Sequence, residues 1–97
     1  MADISVTVNM GNLKDLSALL GVLDENLNVI ARETGVTTYV EGTKIKLVGS
    51  EENVRLAETV VTKLGDIVKA GEPIDKTRII YCVELAKEGN ADDIEKV

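Results

Sequence analysis

The chain has 97 residues, of which 44% are apolar, enough for one domain with one modest core that needs neither metal nor disulfide. It lacks Phe and Trp, its only aromatics being Tyr39 and Tyr81, so the core is aliphatic and the aromatic stacking platform of many single-strand-binding domains is excluded. Its formal charge is −6, with six acids against four bases in residues 1 to 49 and eleven against seven in residues 50 to 97. Such a balance is a poor overall footprint for nucleic acid and confines any RNA contact to a local, weak one.

The single cysteine, Cys82, cannot form an internal disulfide; it reads as a small buried hydrophobe and fits a reducing cytoplasm. Met1-Ala2-Asp3 lacks the basic and apolar regions of a signal peptide, and no apolar run approaches the roughly 18 residues needed to span a bilayer. A soluble, cytoplasmic protein with no membrane contact is expected.

Residues 3 to 8 alternate, Ile4, Val6 and Val8 against Asp3, Ser5 and Thr7, which is the period of a half-buried strand. Asn12 is placed to cap a short helix that buries Leu13, Leu16, Leu19 and Leu20, with Asp15 in its positive first turn and Gly21 as its stop. A second helix is expected to start at Asp24 as N-cap, to bury Leu27, Ile30 and Ala31, and to end at Gly35. Residues 36 to 48 read as a hairpin. Val36 and Val40 share one face of its first arm, Ile45 and Leu47 share one face of the second, and Glu41-Gly42-Thr43 turns between them.

Ser50 caps the longest helix, with Glu51 and Glu52 in its first turn and Val54, Ala57, Val61, Leu64 and Val68 recurring at helical spacing. Gly65 weakens that helix by about 1 kcal/mol relative to alanine. Gly71-Glu72-Pro73 breaks the pattern, Asp75 caps a last helix burying Ile79, Val83 and Ala86, and Gly89-Asn90 ends it. The charged tail 91–97 reads as a linker or the start of another helix.

The order strand, helix, helix, strand, strand, helix, with one added helix, predicts a two-layer α+β domain: a three-stranded antiparallel sheet covered by helices. It is the type I KH order, β-α-α-β-β-α, over residues 1–71. Residues 72–97 then form the added helix and a linker.

Chemistry is scarce. Without histidine the common triads, Cys-His pairs and zinc sites cannot be built. The pairs Asp24-Glu25, Glu51-Glu52 and Asp92-Asp93 are adjacent in sequence, and adjacent side chains on a helix diverge by about 100°. Gly42-Thr43-Lys44 is not the end of a phosphate-binding loop, because Thr37 stands where that motif needs glycine and lysine follows threonine instead of preceding it. No catalytic, cofactor or metal residue is assigned, and the chain is not expected to be an enzyme in its own right.

KH domains grip a nucleic-acid backbone with a GxxG loop between their first two helices. Here that stretch is Gly21-Val22-Leu23-Asp24, whose second glycine is replaced by an acid followed by Glu25, so the loop should repel phosphate. The alternative RNA or partner surface is the open face of the sheet, where Lys44 and Lys46 project, with Tyr39 as a neighbour. Alternating lysines on an outer strand would also discourage edge-to-edge aggregation.

The stretch Leu20-Gly21-Val22-Leu23-Asp24-Glu25-Asn26-Leu27, with Ile30, Gly35-Val36, the long helix after Gly49 and Gly71-Glu72-Pro73-Ile74, resembles the N-terminal region of PhoH-like proteins. In that family a G-x-x-D-E-N-L segment leads into a helix that commonly ends L-G-V, where this chain has Thr34 before Gly35-Val36. The resemblance implies an ATPase domain beyond Val97, with ATP and Mg as its cofactors, in a cytoplasmic protein associated with RNA metabolism. No nucleotide-binding residue carries over to this chain. As partners it implies the downstream ATPase domain, with single-stranded RNA, a second copy or another protein as the alternatives for the domain itself.

Overall fold

The computed structural model describes residues 3–89. The expected helix end at Asn90, the tail 91–97 and the Asp92-Asp93 pair lie outside the described residues. The elements run β1 (Ile4–Asn9), α1 (Leu13–Leu20), a single 3-10 turn (Val22–Asp24), α2 (Glu25–Thr34), β2 (Thr37–Glu41), β3 (Lys44–Gly49), α3 (Glu51–Lys69) and α4 (Lys76–Lys87). This is the expected order, with its added helix.

β1 and β2 each pair antiparallel with β3, so the sheet runs β1-β3-β2. Lys44 and Lys46 thus stand on its central strand, not on an outer one as expected, where pairing on both sides leaves them no edge to guard. Ile4, Val6 and Val8 alternate with exposed Ser5, Thr7 and Asn9, and on β3 the buried Ile45 and Leu47 alternate with exposed Lys44 and Lys46. Period-two alternation therefore sends the aliphatic residues to one face and the polar ones to the other. The helices cover the aliphatic face. The opposite face is open.

Three of the four expected N-caps form. The Asn12 carboxamide accepts from the Asp15 N–H at 2.8 Å and donates to the Asp15 carboxylate at 3.0 Å, so the two ends of the first turn of α1 hold each other. Ser50 Oγ accepts from the Asn53 N–H at 3.3 Å, and Asp75 from the Arg78 N–H at 2.8 Å. Gly35 takes the left-handed conformation at φ 76°, ψ 20° and ends α2, its N–H bonded to the Ala31 carbonyl.

Asp24 is the exception and corrects the expectation for α2. Its backbone is left-handed at φ 58°, ψ 23°, and its side chain makes no capping bond. An N-cap carboxylate reaches the first-turn amides only from an extended backbone. The helix still begins at Glu25, the residue after the expected cap, but without a capping bond from Asp24.

The core is aliphatic, and α3 is its centre: Val54, Ala57, Val60, Val61 and Leu64 are each fully buried, joined by Leu19, Ile30, Ile45, Leu47 and Ile79. Because α3 meets β1, β3, α1, α2 and α4, it buries more than the single stripe that its spacing marks. Helix α4 contributes Ile79, Cys82 and Val83 to the same cluster. Of the expected core residues, Leu20, Ala31 and Ala86 are only half-buried and two more are exposed. Leu13, in the first turn of α1, is 63% exposed, and Val40, on the edge strand next to the hairpin turn, is 43% exposed. The turn itself is Gly42-Thr43, since Glu41 pairs with Lys44. Among the described residues no helix is long and apolar enough to cross a membrane.

Candidate functional site

The open face of the sheet brings together the three residues expected there. Lys46 has Tyr39 as its partner on β2 and Thr7 on β1, and Lys44 has Glu41 and Asn9. Tyr39 is thus directly beside Lys46. Ser5, Thr7, Glu41, Lys44 and Lys46 line a shallow cup of about 450 Å³. Among the described residues no carboxylate lies within ion-pair distance of either lysine, although Glu41 shares the face. The cup therefore offers two ammonium groups and two hydroxyls, all donors to an anion, against one carboxylate.

The hydroxyls of Ser5 and Thr7 add to the three residues expected on this face. Alternation already assigned them to the polar face of β1, but only the sheet order places β1 beside β3. Asn9 anchors one end of this surface: its side-chain oxygen accepts from Thr43 Oγ1 at 3.0 Å and from the Gly11 N–H at 2.9 Å, tying the end of β1 to the hairpin turn.

The loop Gly21-Val22-Leu23-Asp24 is a separate feature. Gly21 has φ 77°, ψ −178°, and both Leu23 (φ 52°) and Asp24 (φ 58°) are left-handed, conformations that non-glycine residues adopt at a cost. Asp24 thus takes a backbone suited to the glycine it replaces, while adding a carboxylate at that point. Val22 and Leu23 project to the outside, 80% and 92% exposed. Beside them a groove of about 750 Å³ separates Gly21, Val22 and Asn26 from Pro73, Ile74 and Lys76 at the start of α4. Glu25 and Asp75 also line it, which gives it an acidic balance unsuited to phosphate. The acidic pair Glu51-Glu52 sits in the first turn of α3, where the helix dipole accounts for it.

No family model matches the chain. PhoH-like proteins of Mycobacterium tuberculosis and Mycobacterium bovis are 33% identical to it over 67 residues, which is 69% of this chain. The match spans only 19% of the length of those relatives. Among solved structures, Dim2p from Pyrococcus horikoshii superposes with a TM-score of 0.66 at 14% identity, over 84% of this chain and 48% of that one. A protein of unknown function from Aeropyrum pernix superposes with a TM-score of 0.70 at 13% identity, over 99% of this chain and 53% of that one. At such identities the likeness speaks to the fold alone, and Dim2p makes that fold KH-like. The chain is a homologue of one region of the PhoH-like proteins, folded as a KH-like α+β domain.

Proposed function

We propose that this chain is an accessory N-terminal domain of a cytoplasmic PhoH-like ATP-binding protein and that it contacts single-stranded RNA for the ATPase domain. ATP and Mg would belong to that second domain. The observation that carries the RNA contact is the juxtaposition of Lys44 and Lys46, exposed and without carboxylate partners among the described residues, with Tyr39, Ser5 and Thr7 on one open face. Two residues apart on one strand, the lysines stand about 7 Å apart at their backbones, so they can address neighbouring charges of an extended strand. The chain's net charge keeps this contact weak and dependent on salt.

The test is binding of a labelled single-stranded RNA at low salt. Wild type binds and loses affinity as salt rises, whereas the variant carrying Lys44→Glu and Lys46→Glu loses binding and its salt slope flattens. No binding by the wild-type chain at low salt overturns this reading.

A second reading, a protein-interaction module, is favoured by the exposed Val22-Leu23 tip. Two adjacent exposed apolar side chains offer a polyanion neither charge nor hydrogen bonds and suit an apolar partner surface better. A pull-down in which the Val22→Ser, Leu23→Ser variant loses a partner that the double-lysine variant retains would favour it.

A further inference from the structure

The outer edge of β1 has no strand beside it among the described residues. The Met10 N–H donates to the Thr43 carbonyl at 2.9 Å, continuing the β1–β3 register of Val8 with Ile45 and Val6 with Leu47. In an antiparallel ladder successive residues turn their backbone groups to opposite sides. Those of Ser5, Thr7 and Asn9 therefore point away from β3, into the open edge. Along Ile4–Asn9 there is no charged residue and no proline. These are the devices by which natural edges avoid pairing, and the opposite edge, β2, does carry a charge at Glu41.

Burial points to the same edge. Ile4, Val6 and Val8 remain half-buried, whereas Ile45 and Leu47 on the central strand are 0% exposed. The aliphatic row of β1 thus lacks a neighbour on its outer flank.

We infer that β1 is an interface with a second copy of this chain, the two edges pairing antiparallel about a two-fold axis at Thr7 to form one six-stranded sheet. The occupant follows from the strand's self-complementarity. With Thr7 opposite its own counterpart, Ser5 faces Asn9 and Val6 faces Val8, so polar meets polar on the open face and aliphatic meets aliphatic on the covered one. The nearest charge, Asp3, falls opposite Gly11, and no like charges oppose each other. Thr7 and its counterpart exchange backbone hydrogen bonds in this register, because both point outward. The pairing also fuses the two open faces, placing the Lys44 and Lys46 pairs of both copies on one surface about 14 Å apart, three strand spacings. The inference does not depend on RNA binding.

Light scattering on the 97-residue chain, from micromolar to millimolar concentration, reads the outcome directly: the mass rises twofold from 10.4 kDa. Thr7→Pro removes an edge N–H that β3 does not use and returns the mass to that of the monomer, with unchanged circular dichroism. Thr7→Cys gives a disulfide-linked dimer on mild oxidation, since hydrogen-bonded strand partners lie about 5.5 Å apart at Cα, within disulfide reach. Val40→Cys, on the other edge, does not. Wild type, whose Cys82 is buried, serves as the blank. A chain that stays monomeric throughout, or a dimer that cross-links through Val40→Cys and not Thr7→Cys, overturns the inference. If Thr7→Pro fails to fold, the mass and the cysteine pair still decide.

Discussion

The Asn26 side chain lies over Gly21 so closely that a Cβ there would stand 2.7 Å from Asn26 Nδ2 and 2.8 Å from its Cγ. Gly21 also has φ 77° with an extended ψ of −178°, a combination essentially confined to glycine. The crowding and the backbone conformation act together at the point where α1 gives way to the exposed loop. Gly21→Ala is expected to cost about 1–3 kcal/mol, read as a lower denaturation midpoint with an unchanged slope. An unchanged midpoint would show that the loop relaxes freely.

Leu23 presents the opposite case. It is left-handed at φ 52°, ψ 34°, and 92% exposed, so it carries backbone strain without compensating burial. Asparagine tolerates this conformation better than leucine. Leu23→Asn should raise stability by about 0.5–1 kcal/mol, measurable as a higher melting temperature. Unchanged or reduced stability would count against a strained loop.

Gly65 sits inside α3 with buried Met10 against it, Cε 3.4 Å and Sδ 3.5 Å from where a Cβ would be. Those are ordinary contact distances, and Met10 is flexible. Gly65→Ala should therefore recover most of the helix propensity, stabilising by about 0.5–1 kcal/mol, whereas Gly65→Leu should lose about 1–3 kcal/mol by displacing Met10. Urea titration of both variants separates the two effects. A loss in the alanine variant would show that the Met10 contact cannot give.

The Cys82 thiol is 1% exposed, and burial pushes its pKa up, with the Arg78 charge opposing in part. The folded value lies above the unfolded one, so the neutral thiol's contribution is complete below the ordinary thiol range. It is lost as pH rises through the raised folded value. Native chain should resist alkylation at neutral pH, and stability should fall in the alkaline limb more steeply in wild type than in Cys82→Ala. Equal alkaline slopes for the two proteins would remove Cys82 from the account.

Much of the fold was legible because its signals are local. Asn12, Ser50 and Asp75 cap their helices as their positions imply, Gly35 closes α2, and the three- and four-residue spacing of α3 marks buried residues correctly. Asp24 departs from the expected cap because an acid before a helix suits either an extended cap or a left-handed loop residue, and its neighbours in sequence do not distinguish them. Val40 was placed on the correct face of its strand, yet an edge strand leaves part of that face uncovered. Alternation alone exposes Lys44 and Lys46. It cannot say what stands beside them.

The sequence by itself determined which segments are strand or helix and which side of each is aliphatic, because periodicity and capping act over a few residues. It also carried the likeness to PhoH-like proteins. Only the tertiary structure decided that β3 lies between β1 and β2, which brings Thr7 and Tyr39 to either side of Lys46, and that β1 is left with an open, uncharged edge. Those outcomes depend on pairing between residues far apart in the chain, where closure of the intervening loop and burial of a shared core set the energy and no local pattern records the choice.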